Sequence, residues 1–247
     1  MDAYAVTDVG QVRSMNQDFI FALTEPIGSL HNLFIVADGM GGHKAGDFAS
    51  RFVVEHLVSF FREEYPERDV HGILKEGIRR VNRALYEKAS QNPDLSGAGS
   101  TLVVATIKGN VLYVANIGDS RLYLLREELK QVTKDHSYVE ELVALGKMRR
   151  GSRDYMEKKN IITRAVGAAP DVDMDLFALK LKSRDYILMC SDGLSNMVDE
   201  LEMEYIIRSE EGVARKATCL VEAANRSGGV DNISVVLIDP QISEVGL

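Results

Sequence analysis

Twice in this chain a run of apolar residues stops on Asp-Gly. Leu33-Phe34-Ile35-Val36-Ala37 ends on Asp38-Gly39, and Tyr186-Ile187-Leu188-Met189-Cys190-Ser191 ends on Asp192-Gly193. Runs of this length, rich in bulky and branched side chains and bounded by turn residues, read as buried strands. Each delivers a carboxylate to a strand end, beside a glycine with no side chain to keep a ligand away. Three more aspartates take matching places. Asp119 follows Gly118 after the run Val111 to Ile117, Asp231 lies in a glycine turn before Ile233 to Ile238, and Asp18 stands beside Phe19 to Leu23.

A lone Asp-Gly is ordinarily a turn, because both residues tolerate the backbone angles that turns need. Here the only two such pairs in the chain both follow apolar runs, and three other aspartates sit in equivalent positions. Carboxylates gathered at one end of a sheet repel each other and need a cation to stay together. The joint pattern therefore favours a metal site. Cys190 and Cys219 are far apart and histidine is sparse, so zinc is a poor fit. Oxygen-only ligation suits Mn²⁺ or Mg²⁺. Two such ions ~3.5–4 Å apart can activate water for in-line attack on phosphorus, which makes phosphate ester hydrolysis the natural hypothesis.

Global properties narrow the field. No Pro/Ser-rich linker, composition break or internal repeat divides the 247 residues, so a single domain spanning 1–247 is expected. With 45% hydrophobic residues it can bury a substantial core. The start, Met1-Asp2-Ala3-Tyr4, lacks the basic region and long apolar run of a signal peptide, and no apolar stretch approaches membrane-spanning length. Two cysteines outside any spaced motif fit a reducing cytoplasm. The net charge of −8 argues against a nucleic-acid partner.

In chain order, Tyr4 to Asp8 reads as a short strand. The polar bend Arg13-Ser14-Met15-Asn16-Gln17-Asp18 follows, where Arg13 could grip phosphate with its fork of donors. Helical periodicity starts near Ala45 (Phe48, Phe52, Val53, Leu57, Phe60, Phe61) and returns after Pro66 (Val70, Ile73, Leu74, Ile78, Val81, Leu85). From Ser100 two hairpins are expected, Leu102–Ile107 with Val111–Asn116 and Arg121–Leu124 with Leu129–Val132, as one antiparallel meander. Ser137-Tyr138-Val139-Glu140 reads as a capping box opening a helix. Gly146 to Asn160 reads as irregular and locally basic, either a solvated loop or a mobile flap, near 138–165, that attracts anionic substrate. Strands at Met174–Leu179 and Tyr186–Cys190, helices near Asp199–Arg208 and Gly212–Asn225, and a final strand complete an α+β pattern.

The ordered set TDVGQVRSMNQD, VADGMGGH, GSTLVVA, NIGDSRLY, KDHS, TRAVG, CSDGL and GGVDNIS resembles the metal-dependent Ser/Thr protein phosphatases of the protein phosphatase 2C family, in particular its compact bacterial members. The resemblance spans nearly the whole chain. It implies a four-layer α-β-β-α sandwich with two central antiparallel sheets and a two-metal site at one end. By motif, Asp38 and the carbonyl of Gly39 would bind both ions, Asp18 would act through waters, and Asp192 and Asp231 would hold the second ion. Asp119 with Asp192 would hold a third, weaker ion, an Asp119–Arg121 ion pair being the structural alternative. Arg13 matches the phosphate-binding arginine.

Two positions depart from the pattern. Gln17 stands where many members have an acidic residue. Met40 stands where eukaryotic members carry a proposed general-acid histidine, which leaves His43 or a metal-bound water for that role. His136 is assigned to structure.

The activity implied is hydrolysis of phosphoserine and phosphothreonine on proteins by activated water, opposing a bacterial Ser/Thr kinase. The protein is expected to be a cytoplasmic signalling monomer. Neither cysteine lies in a phosphate-cradling loop. The competing readings are a catalytically weak phosphoprotein-binding module on the same fold and another two-metal phosphohydrolase such as a nuclease. The intact aspartate set argues against the first and the acidic balance against the second.

Overall fold

The structure, a computed structural model, describes residues 1–42, 44–65 and 68–242. An uninterrupted apolar strand has no face fit for water, so both of its faces must be covered. The fold meets that demand with two stacked antiparallel sheets, each covered outside by helices. One sheet runs β1 (Asp2–Asp8), β11 (Ile233–Asp239), β10 (Tyr186–Cys190), β7 (Arg121–Leu125), β8 (Leu129–Gln131). The other runs β2 (Asp18–Leu23), β3 (Leu33–Met40), β5 (Leu102–Lys108), β6 (Val111–Ile117), β9 (Asp175–Lys180), with the short β4 (Gly99–Ser100) also on β3.

Strand alternation sorts the side chains into three apolar layers. In β3, Phe34 and Val36 point between the sheets, where they meet Leu122, Met189 and Val236. Leu33, Ile35 and Ala37 point the other way, onto α1 (Ala45–Phe61) and α2 (Val70–Gln91). In β10, Ile187 and Met189 face inward while Leu188 and Cys190 face α6 (Glu200–Ile207) and α7 (Val213–Arg226). The expected four-layer arrangement is what the structure shows. Among the described residues no helix is long and apolar enough to cross a membrane.

Local differences from expectation have physical causes. The two hairpins are not one meander. The first pairs β5 with β6 in one sheet and the second pairs β7 with β8 in the other, so the chain changes sheet at Gly118-Asp119-Ser120. The segment expected to be irregular contains α4 (Arg153–Lys158), capped by Ser152. The capping box is half formed. Ser137 Oγ caps α3 (Tyr138–Ala144) by accepting the Glu140 N–H, but the Glu140 carboxylate turns to Arg150 and the Tyr155 hydroxyl. A full charge and a phenol compete better for a carboxylate than one more backbone amide.

Antiparallel register places the site. Asp18 pairs directly with Asp38, Cys190 lies opposite Val235 near the start of β11, and Ile117 lies opposite Leu102. The start of β2, the ends of β3, β6 and β10, and the start of β11 therefore share one end of the sandwich. Each carries or adjoins one of the five aspartates.

Candidate metal centre

Neither Asp-Gly pair is a turn. Asp38-Gly39 lies inside β3, with Gly39 paired to Ser100, and Asp192-Gly193 opens the short helix α5 (Asp192–Ser195). Glycine is required in both for the same reason, close backbone approach. A Cβ on Gly39 would run into the carbonyl oxygen of Gly46, and one on Gly193 into that of Asn232. The carboxylate is thus set on a rigid element rather than a loop, which fixes its position closely.

Asp18 is 6% exposed; its Oδ2 accepts a 2.7 Å hydrogen bond from Ser191 Oγ, and its Oδ1 is buried without a partner. Burial, offset by that hydroxyl and reinforced by Asp192 and Asp231, pushes its pKa up to about 7. Asp38 is raised well above the usual carboxylate range by burial and then by the charges of Asp18, Asp192, Asp119 and Asp231. Asp119 is pushed up to about 7 by burial and by Asp192, and Asp192 up to about 6 by burial and by Asp231. Asp231 Oδ2 accepts from Arg13 Nη2 at 2.8 Å, and Asp192 Oδ2 from Asn196 Nδ2 at 2.9 Å.

Among the described residues no three acidic, histidine or cysteine side chains already crowd a single point closely enough to hold an ion. Three of the carboxylates are instead engaged by the hydrogen bonds just described. The donor set still fits a hard divalent cation. It is all oxygen, largely buried, mutually repelling, and includes a carboxylate oxygen that no protein donor satisfies.

The Asp119–Arg121 alternative is not realised. Arg121 instead forks onto Asp135, with Nη2 to Oδ2 at 2.6 Å, which leaves the Asp119 carboxylate to its acidic neighbours. Arg13 sits at the rim, its side chain half exposed on Asp231. Gly39 is buried beside Asp38 in β3. His43 lies outside the described residues. Met40, at the position after Asp38-Gly39, is 37% exposed and offers no proton. His136 is buried; its Nδ1 accepts the Gly118 N–H at 3.1 Å, and burial pulls its pKa down, in keeping with a structural assignment.

Sequence reasoning missed the residues that hold the carboxylates in place. Asn232 Oδ1 accepts the Gln17 N–H at 2.8 Å while Nδ2 donates to the carbonyls of Val9 and Met15, both at 2.9 Å, tying the bend that bears Arg13 to the start of β11. Thr101 Oγ1 accepts the Asp38 N–H at 3.0 Å and shares a 2.8 Å hydrogen bond with Ser120 Oγ, linking the two sheets beneath Asp38 and Asp119. The only signal was a small polar residue beside three of the aspartates, Ser120 after Asp119, Ser191 before Asp192 and Asn232 after Asp231, a common choice at any turn. Lys159 also reaches the site. Its Nζ donates to Asn196 Oδ1 at 2.7 Å, across a cavity of about 250 Å³ lined by Asp119, Asp192 and Tyr155.

Comparison with known proteins adds to this geometry. The chain is 38% identical to the serine/threonine phosphatase stp of Listeria monocytogenes, over 100% of this chain and 98% of that one. The serine/threonine phosphatase of S. agalactiae superposes with a TM-score of 0.89 at 37% identity, covering 96% of this chain and 98% of that one. The catalytic domain of the serine threonine protein phosphatase PstP, solved in complex with 2 manganese ions, gives 0.82 at 37% identity over 96% of each chain. Residues 10–227 match the family model Protein phosphatase 2C, a stretch that runs from the Arg13 bend almost to Asp231; this chain belongs to the protein phosphatase 2C family.

Proposed function

We propose that this chain hydrolyses phosphoserine and phosphothreonine on proteins with the help of two divalent cations, Mn²⁺ or Mg²⁺. Asp18, Asp38, the Gly39 carbonyl, Asp192 and Asp231 would hold them, and Asp119 with Asp192 would hold a third, more weakly. The observation that carries the proposal is the collection of five carboxylates from both sheets at one buried end, where Asp18 Oδ1 has no protein partner. The serine/threonine phosphatases that the chain is similar to support the same reading, as does the manganese complex of one of them. When bound, the ions would supply a water-derived nucleophile at neutral pH and offset charge developing on the phosphoryl group.

The chain's own residues do the rest. Carboxylates poised near pKa 6–7 must lose protons to bind a cation, so affinity should rise with pH through that range. Arg13 offers a planar fork of donors at the mouth of the cluster, matched to phosphate oxygens. Ser191, Thr101 and Asn232 fix the carboxylates so that little reorganisation is needed during the reaction. The Cys190 thiol is buried and pushed up to about 12, which speaks against a cysteine phosphoenzyme. A Ser/Thr kinase would supply the substrates, and the enzyme would act as a cytoplasmic monomer.

Turnover of a phosphothreonine peptide in Mn²⁺, Mg²⁺ and excess chelator tests the reading. Activity should vanish in chelator and return with either metal. Full turnover in chelator would overturn it.

A further inference from the structure

The phosphate-gripping rim carries apolar side chains that face solvent. Among the described residues thirteen large apolar side chains are exposed, and five of them, Val9, Val12, Met15, Met40 and Val230, lie within a few residues of Arg13, Asp38 or Asp231. Four more fall in residues 138–161. Single exposed apolar residues are ordinary, but a concentration around one site is not.

Val12 and Val230 are the best placed. Val12 directly precedes Arg13 and Val230 directly precedes Asp231, and those two charges meet at 2.8 Å. The strands of backbone beneath them are fastened together, with Gln11 N–H donating to the Gly229 carbonyl at 2.7 Å and Gln11 Nε2 to Asn225 Oδ1 at 3.1 Å. Asn232 secures the same bend from below through Val9 and Met15. The platform is therefore ordered, yet Val12 is 67% and Val230 48% exposed. Both are β-branched and stiff, so covering them costs little side-chain entropy. A peptide whose phosphate is held by Arg13 would bring its flanking residues to this part of the rim.

Resting on the phosphatase reading above, we propose that Val12 and Val230 are specificity determinants that favour phosphopeptides with apolar residues directly beside the phosphothreonine. They act by burying those residues, and they take no part in the chemistry.

Two peptides of equal charge decide the matter, one with leucine and one with asparagine on both sides of the phosphothreonine, assayed with p-nitrophenyl phosphate as a small substrate. Wild type should prefer the leucine peptide in kcat/KM by about tenfold, the low end for apolar complementarity because the rim is open. Val12→Ser with Val230→Ser should bring the ratio near one by raising KM for the leucine peptide. Equal use of both peptides by active wild type overturns the proposal, as does an unchanged ratio in the double variant. A double variant whose change follows protein concentration together with a change in oligomeric state would assign the patch to self-association and also overturn it. Wild type inactive on all three substrates with Mn²⁺ would overturn the phosphatase reading, and this proposal with it.

Discussion

The carboxylate end of the sandwich and the segment at 138–165 are both rich in charge, yet they treat it in opposite ways. At the carboxylate end, Asp18 and Asp119 are nearly buried, one at a strand start and the other at a sheet crossing, and Asp18 is held by a hydrogen bond from the distant Ser191. In the 138–165 segment, α4 buries no residue, and its pairs are local and solvated, such as Arg153–Glu157 with side chains 90% and 55% exposed. Charge at the first place is forced against its preference and costs folding stability that a bound cation would offset. Charge at the second is screened and contributes little to stability. The first holds its charge against burial, and the second presents most of its charge to solvent.

The comparison breaks most readily at Asp38. Asp38→Asn should abolish nearly all activity, read as phosphopeptide turnover in saturating Mn²⁺, while the chelated protein becomes more stable at pH 7.5. The sign follows from protons. Asp38 is raised well above 3.8, and Asp18, Asp119 and Asp192 titrate at about 6 to 7, so between pH 4 and 7 the folded chain binds more protons than the unfolded one. Stability of the metal-free protein therefore falls as pH rises through that window. The gain from Asn should shrink toward pH 4, as followed by thermal melts across pH. A destabilised Asp38→Asn at pH 7.5 would mean that the carboxylate supports the fold instead.

Arg13 joins the two behaviours, being anchored to the buried end but half exposed. Arg13→Ala should lower kcat/KM by roughly 10- to 150-fold, the equivalent of ~1.5–3 kcal/mol of charge-assisted hydrogen bonding, with Mn²⁺ affinity kept. Kinetics and metal titration on one preparation separate these effects. Asn232→Ala, which removes its hydrogen bonds with the Gln17 N–H and the Val9 and Met15 carbonyls, should cost about 1–3 kcal/mol in urea unfolding and weaken activity through the displaced Arg13 bend. Normal stability in that variant would show the bend to be held by other contacts.

The smallest effect belongs to the other region. Neutralising Lys147, Arg149 and Lys158 should leave the melting temperature nearly unchanged and raise KM for an acidic phosphopeptide by a few-fold at low salt. The difference should fade at ~1 M salt, where the screening length is about 3 Å. An effect that persisted there would place those charges in direct contact with substrate.

The division between what could be read in advance and what could not follows the range of the forces involved. Apolar runs with aspartate at their ends announce strands buried on both faces with charge at their tips, because period and turn chemistry act over a few residues. Helix positions were legible on the same ground; α1 starts where the stripe begins at Ala45, and the α6 cap at Asp199 lies at the expected boundary. Why a glycine follows each aspartate was not legible, because the reason, a carbonyl from Gly46 or Asn232, comes from elsewhere in the chain. Arg121 chose Asp135 over its near neighbour Asp119, Ser191 found Asp18, and Asn232 found Val9, Met15 and Gln17, partners that only the stacking of two sheets brings within reach. The sequence by itself determined which side chains could do the chemistry. Tertiary structure decided which of them share one end, which stay charged and what holds them there, because hydrogen bonding and desolvation depend on neighbours that local pattern does not encode.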